Sequence, residues 1–84
     1  MEMRIEYAEQ HGTRYEVRLI GQEALNGKIQ LHAALASFDD ATEAKAFATA
    51  HSGDGYFGTA IVDIAARTVD LGDRTEELGG FILD

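Results

Sequence analysis

Along this 84-residue chain the spacing of apolar residues is most clearly helical in one place. Between Asp39 and Gly53, Ala41, Ala44, Phe47 and Ala48 recur at the spacing that forms one stripe of an amphipathic helix. Asp40 is placed as its N-cap, with Glu43 three residues on. That is a capping box whose two acids also suit the positive end of the helix dipole. Gly53 is a natural stop and His51 falls in the last turn. Five alanines between 41 and 50 imply close approach to whatever the helix packs on.

On either side the pattern alternates instead, as half-buried strands do. Met3, Ile5 and Tyr7 interleave with Glu2, Arg4 and Glu6, and Tyr15, Val17 and Leu19 interleave with Arg14, Glu16 and Arg18. The loop between them ends in Gly12, which is suited to positive φ. Gly21 predicts a bulge or an end of the second strand. Asn26-Gly27 is a hairpin signal for a third strand, with Ile29, Leu31, Ala33 and Leu35 on one face, although the alanines of Leu31–Ala36 also suit a helix. Beyond the helix, Tyr56–Ile64 and Thr68–Leu71 predict two more strands around a turn near Ala66-Arg67. Thr75–Leu78 predicts a helical turn, while Phe81–Leu83 is left open between a short terminal strand and an unpaired end. The expected fold is α+β: a mostly antiparallel sheet of about five strands in the order β-β-β-α-β-β, one domain over residues 1–84, with the helix on one face. The other face, with Tyr56 or Phe57, Ile61 and Phe81, is then uncovered and open to a second copy or a partner.

Such a chain buries only about 60–65% of the surface its unfolded form exposes. It has no cysteine to staple it, so its core rests on an apolar content of 45%. No run of ~18 apolar residues exists to cross a membrane. The alternating N-terminus is unlike a signal peptide, so a soluble, cytoplasmic protein is expected.

Charge is distributed unevenly. The net charge is −8, and residues 37–84 carry ten acids against Lys45, Arg67 and Arg74. That balance argues against direct binding of nucleic acid, which needs clustered bases. It suits either a solvated face or a surface for a basic partner. The candidate partner-binding residues are Asp39, Asp40, Glu43 and Asp54 at the helix ends and Asp63, Asp70 and Asp73 on the following hairpin, with Tyr56 or Phe57 as an apolar anchor.

Other motifs carry less. Gly53-Asp54-Gly55-Tyr56-Phe57-Gly58 matches G-x-G-x-x-G, but it follows a helix and opens a strand, the reverse of a dinucleotide site. His11, His32 and His51 lie about twenty residues apart, without the tight local spacing of a zinc site. Ser37, just before the helix, reads as local capping. Asp63 and Asp70 facing across a hairpin are a solvated pair rather than an acid/base couple. The expectation is therefore no enzyme, no metal and no cofactor.

The stretch Ser37–Leu71, with SFDDATEAKAFATAHSG followed by YFGTAIVDIAARTVDL, resembles small phage-encoded inhibitors of host defence, the anti-CRISPR proteins among them, in size, charge and layout. The resemblance carries over no individual residue. It implies an inhibitor that blocks a basic, nucleic-acid-handling protein by occupying its surface, without catalysis. The alternative is a homo-oligomeric accessory domain, a homodimer in its simplest form, whose acidity serves solubility.

Overall fold

The computed structural model describes residues 12–23, 27–53 and 57–83. They form β1 (Tyr15–Glu23), β2 (Ile29–Phe38), α1 (Ala41–Ala50), β3 (Thr59–Asp63), β4 (Thr68–Asp70), β5 (Thr75–Glu77), a 3-10 turn (Leu78–Gly80) and β6 (Phe81–Leu83). The class is α+β with one helix and a mostly antiparallel sheet, as the periodicity implies. The layout differs: the described sheet has six strands, and four of them follow the helix rather than two. The strand expected over Met1–Tyr7 lies outside the described residues.

Strand order is β5-β4-β3-β1-β2-β6, antiparallel except for β6 beside β2. This order forces a curl. In a flat sheet β5 and β6 would sit five strand spacings apart, or ~24 Å. The chain joins them through the three residues Leu78–Gly80, whose Cα steps reach only ~15 Å. The curl is built into the β1–β2 hairpin by register shifts. β1 has an extra residue between Ile20 and Glu23, where Gly21 predicts one, and β2 has extra residues between Leu31 and Ala34 and at Leu35. Bulges of this kind bend a strand and increase its twist. At Gly21 the neighbours are close: a Cβ there would stand 3.0 Å from the Gln30 carbonyl oxygen and 3.0 Å from His32 Nε2.

The bulges also correct the expected face of β2. Leu31 is fully buried, but Ala33 and Leu35 are exposed, because each shift rephases the alternation. Thr75–Glu77 is a strand rather than a helical turn. Gly72, at φ +97°, lets the chain reverse, and Thr75–Glu77 then pairs with β4. Ser37 is not a cap; it lies in β2 opposite Glu16. The strand after the helix runs Thr59–Asp63, shorter than the expected Tyr56–Ile64.

The curl gives the sheet two buried faces. On the outer face, Ala44 and Ala48 of α1 lie on Val17, with Tyr15, Phe38, Phe47 and Ile61 around them. Inside the curl, Leu31, Ala60, Val62, Val69, Leu78, Phe81 and Leu83 form the larger core. Burying side chains such as Leu31 and Phe81 contributes about 1.5–3 kcal/mol each. The expectation of an uncovered apolar face is therefore corrected. Ile61 lies under the helix, Phe81 is 3% exposed in the inner core, and the sheet covers its own second face.

Two charged residues share that inner core. Glu16 and Arg18, i and i+2 on β1, are 0% and 2% exposed. Arg18 Nε donates to Glu16 Oε1 at 2.9 Å, and its Nη1 donates to the His32 carbonyl at 3.0 Å, within the β2 bulge. An unpaired charge here would be costly; a paired one, hydrogen-bonded to the bulge, is accommodated.

Candidate functional site

The outer face is ordered by cross-strand register. One row runs Phe38, Tyr15, Asp63, Thr68, Glu77 across β2, β1, β3, β4 and β5; the next runs Ala36, Val17, Ile61, Asp70, Thr75. The helix covers the apolar ends of both rows. Thr68, Asp70, Thr75 and Glu77 extend beyond it, a polar face made by strands whose alternate residue, Val69, points into the core.

Between this face and the helix lies a groove of about 270 Å³, lined by Thr42 and Lys45 from α1 and by Tyr15, Ile61, Asp63 and Asp70 from the sheet. Lys45, Ile61 and Asp70 also line the adjoining groove of about 450 Å³, which ends at Phe57. Phe57, one of the two residues expected as an apolar anchor, is 53% exposed. Tyr56 and Asp54 lie outside the described residues.

The acidic candidates divide by what already holds them. Asp63 receives a two-pronged bond from Arg14, Nε to Oδ1 and Nη2 to Oδ2, both 2.9 Å, and a third from the Ala66 amide at 3.1 Å. Bonding to Arg14 holds the Asp63 carboxyl below the usual aspartate range, and the Arg14 guanidinium also stands 5.2 Å over the Tyr15 ring. Asp73 pairs with Arg74 at 3.2 Å, while Arg74 donates to Glu76 at 2.7 Å. Asp70 accepts the Gly72 amide at 2.8 Å, which shapes the β4–β5 turn. Asp63 and Asp70 share the outer face without facing each other. Asp63 stands opposite Thr68, and Asp70 opposite Ile61.

At the start of α1, Asp40 is the N-cap and accepts from the Thr42 amide at 2.7 Å. Asp39 and Glu43 are exposed beside it. Ala41 and Thr42 of this first turn line the smaller groove together with Asp70, whereas Glu43 lies round the helix from them. Ala41 itself is exposed rather than part of the buried stripe. At the other helix end His51 is the C-cap, and its ring stacks on Phe47 with centroids 4.2 Å apart.

Sequence reasoning missed Glu77, Lys45, Tyr15 and the neutralising Arg14 and Arg74. The available signal was the turn residues Gly72-Asp73, followed by Thr75, a strand former; this favoured a hairpin over a helical turn. Among the described residues no three His, Asp or Glu side chains converge as metal ligands, and no helix is long and apolar enough to cross a membrane. No family model, curated protein or solved structure matches the chain.

Proposed function

We propose that this chain is a non-enzymatic interaction domain whose acidic outer face occupies a basic surface on a partner protein. The observation that carries the reading is the outer face of Thr68, Asp70, Thr75 and Glu77 beside a groove that Asp63 and Asp70 line with Lys45, next to one lined by the exposed Phe57, with Asp39, Asp40 and Glu43 exposed at the start of α1. Carboxylates so arranged steer encounter with a basic patch, and an exposed aromatic supplies area that excludes water at contact. The resemblance to phage-encoded inhibitors, anti-CRISPR proteins among them, gives the reading a specific form: the partner handles nucleic acid, and the domain competes for the surface that does so. Asp63 and Asp73 contribute less than Asp70 and Glu77, since each is matched to an arginine of its own chain.

The test is capture from host lysate with the tagged chain at low and high salt. It is repeated with a variant carrying Asp39→Asn, Glu43→Gln, Asp70→Asn and Glu77→Gln. The expected result is a basic nucleic-acid-binding protein that salt weakens, nucleic acid competes off, and the neutralised variant fails to retain. Capture that the variant leaves unchanged, or recovery of the chain alone, overturns the reading.

A further inference from the structure

Among the described residues the sheet ends at β5, whose strand partner is β4. The direction in which β5 points its backbone groups follows from the ladder. The Leu71 amide donates to the Arg74 carbonyl and the Leu78 amide to the Arg67 carbonyl, both at 2.9 Å, and Val69 stands opposite Glu76. Hydrogen-bonded pairs alternate along an antiparallel ladder. The pairs 71/74, 69/76 and 67/78 are thus the bonded ones, and Thr75 and Glu77 turn their N–H and C=O groups away from β4. All three residues of β5 are exposed. The outer edge therefore presents two amides and two carbonyls at strand spacing, a template for a further strand.

Charge selects what can occupy it. Glu76 is matched by Arg74, but the described residues place no cation on Glu77 or on Asp70 behind it. A second copy paired edge to edge and antiparallel, centred on Glu76 or on Glu77, would set that glutamate against the same residue of its partner, and like charges opposed across strands repel. A lysine- or arginine-bearing extended segment meets the opposite situation. At the other end of the described sheet β6 carries Phe81, Ile82 and Leu83, with no acid to select a basic strand.

We infer that β5 is a strand-addition site for a basic, extended segment of a partner protein. This rests on the proposed acidic interaction reading and specifies its mode: main-chain hydrogen bonds along Thr75–Glu77, with basic side chains lying over Glu77 and Asp70.

The probe is the heptapeptide Lys-Thr-Lys-Val-Lys-Thr-Lys, titrated into the full chain beside an analogue methylated on alternate backbone nitrogens. The two carry the same charge, but the analogue lacks half the backbone donors. Strand addition predicts binding at least tenfold tighter for the unmethylated peptide, with slowed hydrogen exchange at the Thr75 and Glu77 amides. Thr75→Pro, which removes an outward N–H that the sheet does not use, should abolish the difference. Equal binding of both peptides, or perturbation confined to Asp39, Asp40 and Glu43, overturns strand addition while leaving an acidic face for a basic partner. If neither peptide binds even at low salt, strand addition fails together with the reading beneath it, and the glutamates remain as a guard against edge-to-edge aggregation.

Discussion

At the scale of single residues, Glu16 and Arg18 most clearly separate what a pattern can say from what a fold decides. Their alternation with Tyr15, Val17 and Leu19 assigns them to a polar face of β1. The structure buries that face as well, because it lines the inside of the curl, where Val62 and Ala60 of β3 stand beside the pair. No local signal distinguishes a polar residue facing water from one facing the inside of a curl. The pair makes a sharp prediction. Glu16→Ala leaves a buried guanidinium without its carboxylate and should cost about 3–5 kcal/mol in denaturant unfolding. Replacing both residues together, Glu16→Leu with Arg18→Met, should cost less than the single change, because the two bonded charges leave the core together. A double variant as unstable as the single one would show that Arg18 matters chiefly through its bond to the His32 carbonyl, as the clamp on the bulge.

At the scale of elements, the helix was legible because its signals are local and mutually consistent. The stripe, the cap and the stop all lie within fifteen residues, and α1 spans Ala41–Ala50 with Asp40 at its cap. Asp40→Ala removes the acceptor for the Thr42 amide and should lower stability by about 1 kcal/mol, read from a thermal melt. Asp40→Ser, which restores a cap, should recover most of the loss. β5 was illegible for the opposite reason. Three polar residues have no inward apolar position to set a period, and the segment is a strand only because β4 lies beside it. The bulges at Leu35 and between Leu31 and Ala34 are likewise set by the partner strand, whereas Gly21 announces its own by lacking a Cβ where two neighbours stand close. The candidate site divides along the same line. Its acids could be named from charge alone, but which of them Arg14 and Arg74 neutralise depends on register.

At the scale of the whole molecule, the curl and the parallel placement of β6 follow from strand order, which no stretch of sequence encodes by itself. Charge, by contrast, is a property of the whole chain, and its consequence can be measured. A net charge of −8 is held within a body measuring 33 × 27 × 19 Å. The Debye length is ~30 Å at 0.01 M salt and ~8 Å at 0.15 M. At low salt the carboxylates repel one another across the whole fold; at the higher concentration only near neighbours interact. Unfolding separates the charges, so the repulsion acts mainly on the native state. The melting temperature should therefore rise between 0.01 and 0.15 M salt and then level off. A fall would mean that the ion pairs, Arg14 with Asp63 and Arg74 with Glu76, outweigh the general repulsion. A basic partner relieves the same repulsion by neutralising it rather than by screening it, and it binds the native state alone. Its stabilising effect should thus be greatest at low salt, where the free domain is weakest, and should shrink as salt stabilises the free domain. A partner that raised the midpoint equally at both salt concentrations would be held by contacts other than the acidic face.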